Sequence, residues 1–588
     1  MKNIRYIVLI LPFVFGLTAC EDFLDVNKSK DRPTTITVDQ ALPVACFYAA
    51  QINYDHAEYG VYLAQALTTA DKNPGSSLAY SGGWEFLLMN RHPQWRRHYY
   101  DLGANINEMI KAAEAIDSKN FILIGRTIML QSTMLTTDAF GDMPHSNAYT
   151  STSPTYDTQE SIYKWMFQEA DELIALYEND EWINNERNIP ITKKMDRIYE
   201  GDMEKWKLYT KALRARLWLR KLPNWENSPA VCSKIIGLVD EILNDPAWEE
   251  PRYIYPGGVN EQNCPWGPAS PIINSWESRN NRLATSIPTK FFGYALLGGY
   301  ERRTTNRRYA LDPRAEAMMT PRESDTGSGS DAMRWLESNI GMATSMKITY
   351  YPDLFAESGA NPYTSNAGYM ALITDEELMF IKAEAQYWAG DKPMAFNTTV
   401  QAVERNMKRY GIDGSTLAGQ ALVRYNRFFE VRLSGAAFFN IADLMQQKFV
   451  AMYLQPELWN DVRRYNYSSE TNGIQYDGVP VYTVTTCHDG SSTAFNVSNF
   501  SAKYSLRRPY NLYESYWMQA DAIGQNANLS PNAWINRLNY DPQTEDVYNR
   551  SELERLGAYK NHEWLKKRMI WAYNTSGKAT SSDPTEWK

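Results

Sequence analysis

Apolar residues that recur every three or four positions, in paired runs separated by a short break, are the feature that most constrains the fold of this chain. The clearest pair lies between Asp375 and Tyr410, where the break is Gly390-Asp391. The first run consists of Leu378, Ile381, Ala385 and Trp388, and the second consists of Phe396, Val400, Val403, Met407 and Tyr410. This spacing places each run on one face of a helix and predicts two helices that fold back on each other.

Similar pairs occur elsewhere. We expect Asp101–Ile116 to pair with Phe121–Asp138, and Gln159–Tyr177 to pair with Met203–Leu222. Helix pairs that recur along a long chain are typical of tetratricopeptide-like scaffolds, although here the period is irregular and the tetratricopeptide consensus is incomplete. The sequence therefore predicts a mainly α fold with little β structure, including one small strand where Val and Tyr alternate over Val479–Val484.

Two stretches differ from the helical pattern and are predicted to be long loop-rich inserts, at about residues 246–300 and 319–366. The first is rich in Pro and contains Gly257-Gly258 and Gly298-Gly299, and the second contains Gly327-Ser328-Gly329-Ser330. Loops of this length are uncommon in a compact domain unless they serve a function. The inserts are therefore the first place to look for binding residues.

The N-terminus indicates export. Lys2 and Arg5 precede an apolar stretch, 6–17, that is shorter than the roughly 20 residues needed to cross a bilayer as a helix. The stretch ends in Leu17-Thr18-Ala19-Cys20, a pattern typical of a bacterial lipobox. The alternative is an ordinary signal peptide that happens to be followed by Cys.

The lipobox divides the chain into three parts. Residues 1–19 are predicted to be a signal peptide, and residues 20–37 a tether that is acylated at Cys20. Several acyl chains on one residue give stable membrane attachment. We predict a single helical domain, with its two inserts, over residues 38–588.

Net charge and composition argue against some classes of binding partner and favour others. The 588 residues include 60 Lys and Arg and 69 Asp and Glu, which gives a formal net charge of −9. This balance argues against a nucleic-acid partner, since proteins that bind the phosphate backbone rely on clustered Lys and Arg. Aromatic residues make up 13% of the chain, more than a helical core needs, and rings outside the core can pack against apolar ligand faces.

Motifs for catalysis or metal binding are missing from the sequence. There is no H-E-x-x-H pair, no G-x-S-x-G elbow and no phosphate-binding Gly-Lys-Ser or Gly-Lys-Thr, so we predict no enzymatic activity, no metal and no cofactor. The histidines are expected at the surface or at helix ends. A pair of carboxylates that hydrolyses glycans stays open as an alternative, because 69 acidic residues offer many such pairs. Bound calcium also stays open, although no EF-hand loop is present.

Three smaller features have competing interpretations. Asp461 with Arg463 and Arg464 suits an anion site, but ion pairing that stabilises a helix end is preferred. Cys487 and His488 are poor candidates for a nucleophile and its base, because neighbouring side chains of an extended segment point to opposite faces. Whether any disulfide forms among the remaining cysteines is left open; these are Cys46, Cys232, Cys264 and Cys487.

Exposed rings beside amide or guanidinium groups are the best candidates for ligand binding. Rings stack on the apolar face of a sugar, and the polar groups satisfy its hydroxyls. One candidate loop contains Tyr80 and Trp84. The other, within 246–300, contains Trp266, Asn274, Trp276, Arg279 and Asn280. For any single ring, closure of the core beneath a loop is an equally good interpretation.

Several short motifs follow the lipobox in order along the chain. They are Cys20 to Asn27, Phe140-Gly141-Asp142-Met143-Pro144, Tyr156-Asp157 to Ile162-Tyr163, Gly201-Asp202 to Trp206 with Leu213-Arg214-Ala215-Arg216, Glu377 to Glu384, and Gln447-Lys448 to Trp459-Asn460-Asp461-Val462-Arg463-Arg464. Together they resemble the SusD-like (SusD/RagB) lipoproteins of Bacteroidetes outer membranes over essentially the whole chain. After Pro144 the chain has His145-Ser146-Asn147, where the family usually has an aromatic residue and Glu. This difference concerns the subfamily and not the expected role.

The resemblance implies a tetratricopeptide-like scaffold, lipid-anchored on the outer membrane and facing outwards. It also implies capture of oligosaccharides or, in RagB-type members, of peptides, with a SusC-like TonB-dependent transporter as the partner. We therefore expect a surface lipoprotein that binds a nutrient oligomer, most of all an oligosaccharide. Peptide cargo, a surface glycan-degrading enzyme and a helical adaptor that binds only proteins are the alternatives.

Overall fold

Helices dominate the computed structural model of this protein, and the strands that it describes form small sheets. The described residues are 36–69, 93–151, 153–225, 227–258, 262–268, 283, 286–297, 299–302, 308–310, 312–320, 352–355, 361–488, 501–506, 534–561 and 563–573. None of the helices in these ranges is long and apolar enough to cross a bilayer. The predicted signal peptide and Cys20 lie outside the described residues.

The elements are numbered here in chain order. The first half contains α1 (Val38–Leu63), β1 (Leu67–Thr69), α2 (Pro93–Arg96), a π-helix (Arg97–Ala104), α3 (Asn105–Ala115), α4 (Lys119–Phe140), α5 (Gln159–Tyr177), α6 (Asp180–Ile183), α7 (Met203–Leu219), α8 (Pro229–Asn244), β2 (Arg252–Ile254), β3 (Ser286–Pro288) and α9 (Lys290–Leu297). The second half contains β4 (Gly299–Arg302), β5 (Arg308–Ala310), α10 (Arg314–Met318), β6 (Tyr369–Ala371), α11 (Asp375–Trp388), α12 (Lys392–Arg409), α13 (Gly419–Arg432), α14 (Ile441–Ala451), α15 (Glu457–Arg464), β7 (Thr483–His488), β8 (Ser501–Ser505), α16 (Glu545–Tyr548), α17 (Arg550–Leu556), α18 (Glu563–Lys566) and a 3₁₀ turn (Ile570–Ala572).

The predicted helix pairs are present: α3 packs against α4, α5 against α7, and α11 against α12. In the last pair, Thr374 and Asp391 cap the two helices by accepting hydrogen bonds from the backbone N–H groups of Glu377 and Met394. Gly390 has a φ of 90°, a left-handed conformation that lets the chain turn between the helices. The prediction of a mainly α, tetratricopeptide-like fold is confirmed.

Helix α15 lies in the interior, and all of its residues are buried. Arg464 lies 2.8 Å from Glu384 of α11 and 2.7 Å from Asp461 of its own helix. Lys448 of α14 lies 2.9 Å from Asp461. Because an unpaired buried charge is expensive, these pairs determine how α11, α14 and α15 pack together. The preferred interpretation, ion pairing within the fold, is confirmed for Asp461 and Arg464, whereas Arg463 donates to the backbone carbonyls of Asp138 and Asn536.

A second group of buried charges joins α4, α7, α11 and α15. Arg220, just after α7, lies 2.9 Å from Asp138 of α4 and 2.6 Å from Glu457 of α15. Arg216 of α7 lies 2.8 Å from Glu377 of α11. Several of these charged residues belong to the short motifs quoted above, so those motifs mark contacts between helices that are far apart in sequence.

The strand predicted at Val479–Val484 starts later than expected, at Thr483. Tyr476 and Val479 form an isolated bridge, and Asp477 and Gly478 between them have φ values of 48° and 77°. An Asp-Gly pair with two positive φ values makes a tight turn, and this turn occupies the start of the predicted strand. Strand β7 then pairs with β4 and β8.

The described part of residues 246–300 contains regular structure as well as turns. Strand β2 pairs with β6, and β3 pairs with β1. In α9, the ring of Phe291 lies 5.1 Å from that of Phe449, and the ring of Phe292 lies 4.9 Å from that of Tyr453. This end of the stretch is therefore part of the core.

The expectation that the histidines lie at the surface or at helix ends is wrong for His56 and His98, which are both buried. His56 Nε2 lies 3.1 Å from Asn460 Oδ1, and His98 Nδ1 lies 2.7 Å from Ser132 Oγ. Burial, with Arg463 adding to it, lowers the pKa of His56 to about 4, and burial lowers the pKa of His98 to about 3. Both rings are neutral at pH 7 and serve as hydrogen-bonding residues of the core.

The cysteines that the structure describes with their side chains are free thiols. Cys46, Cys232 and Cys264 are buried in different parts of the core. Burial raises the pKa of the Cys264 thiol to about 12, so it is protonated at neutral pH. Cys487 and His488 are neighbours on β7, which confirms that this segment is extended.

Candidate functional site

Residues that flank the two predicted binding loops are paired in the antiparallel ladder formed by β1 and β3. Thr69, the last residue of β1, is paired with Ser286, the first residue of β3. Tyr80 and Trp84 follow Thr69 along the chain, and Trp276 precedes Ser286. Paired residues of an antiparallel ladder have Cα atoms about 4.5–5.5 Å apart. The residue before the first loop and a residue after the second loop are therefore neighbours, although they are far apart in sequence.

Hydrogen bonds from α1 and from the turn that follows it hold the β1–β3 ladder in place. The hydroxyls of Tyr62 and Ser286 lie 2.6 Å apart, and both residues are buried. Thr289 Oγ1 donates to the carbonyl oxygen of Gln65. Gln65 has a φ of 63°, which a residue other than glycine adopts only where its surroundings impose it. The chain is therefore bent sharply between α1 and β1.

The opposite ends of the two loops lie along α1. Arg97 Nε is 2.5 Å from Asp55 Oδ2, and both side chains are buried. The ring of Trp266 packs edge to face against that of Tyr54, with centroids 4.7 Å apart. Because Tyr54 and Asp55 are adjacent on α1, this helix positions the flanking residues of both loops.

Arg97 keeps its charge beside Asp55, because its pKa is raised. Burial lowers the pKa of Arg97, but the carboxylates of Asp55 and Asp101 outweigh this effect and raise it above its ordinary value. Burial also raises the pKa of Tyr48, and Asp101 adds to that shift. The π-helix is thus joined to α1 by the contact between Arg97 and Asp55.

Trp266 lacks the exposed ring that its assignment to the ligand site requires. Only 1% of its surface is exposed, and it belongs to the hydrophobic core. Two backbone hydrogen bonds hold the turn that contains Trp266. Cys264 N donates to Asn366 O at 2.8 Å, and Gly267 N donates to Cys264 O at 2.8 Å. A ring of this size is far more stable inside the core than in water. For Trp266 the alternative interpretation, closure of the core beneath a loop, is therefore the correct one.

The other candidate residues lie outside the part of the chain that the structure describes, so their assignment stays a prediction. They are Cys20, Tyr80, Trp84, Asn274, Trp276, Arg279 and Asn280. The structure describes residues that flank the two loops, among them Thr69, Arg97 and Ser286.

Sequence reasoning missed a group of aromatic residues beneath α2. Trp95 is buried, and the rings of Phe140 and Tyr540 lie 5.0 and 5.2 Å from its ring. Trp95 Nε1 donates a 3.0 Å hydrogen bond to Glu545, whose second carboxylate oxygen accepts from the Tyr156 hydroxyl. Phe140 and Tyr156 belong to two of the short family motifs, and these motifs were the only sequence feature that pointed to this group. Nothing in the sequence links Trp95 to Glu545, which are 450 residues apart.

Glu377, a buried carboxyl group with a raised pKa, is poorly placed to act as a catalytic acid. Burial raises the pKa of Glu377 even though Arg216 lies 2.8 Å away. A general acid must reach its substrate, and Glu377 is only 2% exposed. Among the described residues, no three His, Cys, Asp or Glu side chains are grouped in a way that could hold a metal ion.

Comparison with known sequences identifies one family. Residues 33–246 match the model of the SusD-like_2 family, which is described as "Starch-binding associating with outer membrane". No protein among the curated sequences matches the chain.

Solved structures share the fold of this protein over nearly the whole chain. A SusD/RagB family protein from Bacteroides thetaiotaomicron has a TM-score of 0.60 and 17% identity, covering 92% of this chain and 100% of that one. A SusD homolog from Parabacteroides distasonis has a TM-score of 0.58 and 16% identity, covering 91% and 97%. A protein described as chitin-binding has a TM-score of 0.53 and 16% identity, covering 90% and 100%. The chain therefore has the SusD-like fold over nearly its whole length, and residues 33–246 carry the sequence signature of a SusD-like family, which confirms the resemblance seen in the motifs.

Proposed function

We propose that this protein is a surface lipoprotein that binds a nutrient oligomer, most of all an oligosaccharide, and delivers it to a SusC-like TonB-dependent transporter of the outer membrane. The SusD-like sequence of residues 33–246 supports carbohydrate uptake, since the family description names starch binding and association with the outer membrane. The solved chitin-binding protein with the same fold also supports a glycan as cargo.

The β1–β3 ladder is the structural observation that carries the proposal. It pairs Thr69, which precedes the Tyr80–Trp84 loop, with Ser286, which follows the loop containing Trp276. Rings from both loops are then available to one extended ligand, while Asn and Arg side chains bind its hydroxyls. Each hydrogen bond exchanged with water contributes only about 0.5–1.5 kcal/mol, so the ligand is bound reversibly and can be passed on.

Titration calorimetry on single-ring variants tests the proposal. Wild-type protein should bind at least one member of a panel that includes maltoheptaose and chitohexaose. Trp84→Ala and Trp276→Ala should weaken that binding, and Phe438→Ala is the matched control because its ring is 80% exposed on a different part of the chain.

Two results would count against this proposal. Unchanged affinity in both Trp variants would remove the ligand site from the two loops. Binding of defined peptides without binding of any oligosaccharide would replace the glycan by peptide cargo.

The transporter partner has its own test. Extraction of the membrane in mild detergent, followed by affinity purification of this protein, should recover a large TonB-dependent β-barrel that mass spectrometry identifies. Recovery of the protein alone, under conditions that preserve other such pairs, would contradict the delivery step.

A further inference from the structure

Asn472 and Gly473 form the only Asn-Gly dipeptide of the sequence. Asn-Gly is especially prone to deamidation, because glycine has no side chain to hinder its backbone nitrogen from attacking the Asn side chain. The dipeptide lies between α15 and β7, where Asn472 is half-buried and Gly473 is exposed. The contacts of the Asn472 amide group decide whether this reaction takes place in the folded protein.

The Asn472 side chain makes the full set of hydrogen bonds that an amide group offers, two through its oxygen and two through its nitrogen. Oδ1 accepts from the backbone N–H groups of Ser469 and Ile474, at 3.0 Å each. Nδ2 donates to the backbone carbonyl oxygens of Asn466 and Tyr467, at 3.2 and 2.6 Å. Because donors surround one end and acceptors the other, the amide has a single favourable orientation.

The attacking group is held as well. Gly473 N donates a 3.0 Å hydrogen bond to Ser469 O. Attack on Asn472 Cγ would require this hydrogen bond and those of the amide group to break. The folded loop of residues 466–474 therefore protects the dipeptide, and deamidation must proceed through a locally opened state.

The same amide group keeps the loop closed. Asn466 and Tyr467 have φ values of 50° and 53°, a left-handed conformation that costs free energy in residues other than glycine. Both hydrogen bonds from Asn472 Nδ2 go to the carbonyl groups of these two residues. A carboxylate in place of the amide has no hydrogen to donate and would set a negative charge against both carbonyl oxygens.

The loop in turn holds the C-terminal part of the chain. The Tyr467 ring stacks on that of Trp534 with centroids 4.4 Å apart, and its hydroxyl donates to the carbonyl oxygen of Ile535 at 2.5 Å. Asn466 Nδ2 donates to the carbonyl oxygen of Ala572 at 3.0 Å. A loop that stays open loses these contacts, so the state of one amide group affects the packing of residues 534–573.

We propose that Asn472 is a deamidation site controlled by the fold, and that its reaction product destabilises the native state. When the loop opens, Gly473 N attacks Asn472 Cγ and forms a succinimide, and the side-chain nitrogen leaves as ammonia with the Gly473 N–H proton. Water then opens the ring to give Asp or isoaspartate. Neither product donates to the carbonyl oxygens of Asn466 and Tyr467, so the modified chain returns to the native state less readily.

Peptide mass spectrometry tests the protection in full-length protein incubated in mildly alkaline buffer, with and without guanidinium chloride. In guanidinium, Asn472 should deamidate faster than any other asparagine. In native buffer its deamidation should be slower by about ten-fold or more, since the reaction then requires local opening. Gly473→Ala should slow the reaction in guanidinium, because the added side chain hinders the attacking nitrogen.

Thermal melts test the effect of the product. Asn472→Asp reproduces one product, and Gln475→Glu is the matched control, because it makes the same change from amide to carboxylate at an exposed position nearby in the chain. Asn472→Asp should melt several degrees below wild-type protein, whereas Gln475→Glu should melt like it. An Asn472→Asp variant that does not fold, beside a Gln475→Glu variant that does, agrees with the proposal.

Three results would overturn it. Equal deamidation rates in native buffer and in guanidinium would show that the fold gives no protection. A rate at Asn472 no greater than at the other asparagines in guanidinium would remove it as a deamidation site. Equal melting temperatures of Asn472→Asp and Gln475→Glu would show that the loop tolerates a carboxylate.

Discussion

Helix α1 contacts residues that flank the candidate loops, and His56, next to Asp55, makes this region sensitive to pH. His56 Nε2 faces Asn460 Oδ1, which also accepts from Arg463 Nη2. The histidine must therefore donate, with its proton on Nε2. A second proton on the ring would place a charge in the core near Arg463, which is why the pKa of His56 is lowered.

Because of His56, the free energy of unfolding should decrease as the pH is lowered. The contribution of the neutral ring is fully present above pH 6.5, its ordinary pKa, and is lost as pH falls toward the folded value of about 4. The loss should be about 1.4 kcal/mol for each pH unit between these values. Melting temperatures at pH 7.5, 6 and 5 should therefore fall more steeply for wild-type protein than for His56→Gln, which does not titrate. Parallel curves would contradict the assignment.

A second prediction at this scale concerns Trp266. Since its ring is in the core, Trp266→Ala should destabilise the protein by about 3–5 kcal/mol and lower the melting temperature by several degrees. The exposed ring of Tyr548 serves as control, and Tyr548→Ala should melt like wild-type protein. Differential scanning calorimetry provides the comparison. A Trp266→Ala variant that melts normally would restore this ring as a candidate for ligand binding.

Among the elements, α15 shows most clearly how buried charges organise the fold. It is short, but Glu457, Asp461 and Arg464 form ion pairs with residues in or next to α7, α11 and α14, and its apolar residues lie in the core. Its fourth charged residue, Arg463, donates to the backbone carbonyls of Asp138 and Asn536. A helix with so many ionic side chains is stable in the interior only because neighbouring helices supply matching charges. The pairing thus makes the positions of these helices depend on one another.

Removing one partner from this group should be costly. Glu384→Gln leaves Arg464 and Lys448 with one carboxylate fewer, and loss of a buried partner typically costs about 3–5 kcal/mol. Glu554→Gln is the matched control, because its pair with Arg550 lies at the surface, where such pairs contribute about 0–1 kcal/mol. Urea unfolding of both variants measures the difference. Equal stabilities would mean that the buried pairs contribute no more than surface pairs.

For the molecule as a whole, the SusD-like fold is retained at 17% identity to a solved relative. Such low identity is compatible with one fold, because protein cores tolerate extensive hydrophobic substitution when total volume and patterning are kept. The proposed role in nutrient capture also requires that the molecule stays at the membrane.

Attachment to the membrane is predicted to depend on Cys20. Cys20→Ala removes the thiol that the lipobox predicts to be acylated, and each buried CH₂ of an acyl chain contributes about 0.8 kcal/mol to membrane affinity. The variant should therefore leave the outer-membrane fraction or stop at the precursor stage. Fractionation followed by immunoblotting separates these results from retention. Unchanged, detergent-dependent retention would contradict the lipobox interpretation.

The helix pairs and the family resemblance were determined by the sequence alone. Apolar spacing predicted α3 with α4, α5 with α7, and α11 with α12, because local periodicity decides which face of a helix is buried. Ordered motifs identified the SusD-like fold, and the Asp461 and Arg464 pairing was the preferred interpretation. The predicted strand at Val479–Val484 was displaced, since the Asp477-Gly478 turn outweighed the alternation of side chains.

The tertiary structure alone decided which side chains are exposed and which distant residues meet. Trp266 and His98 have polar or loop-like neighbours in sequence, but packing against Tyr54 and Ser132 buries them. Thr69 and Ser286 are paired across a long separation that no local pattern encodes. Exposure and long-range contact depend on how the whole chain closes around its core, and a sequence read in short windows contains neither.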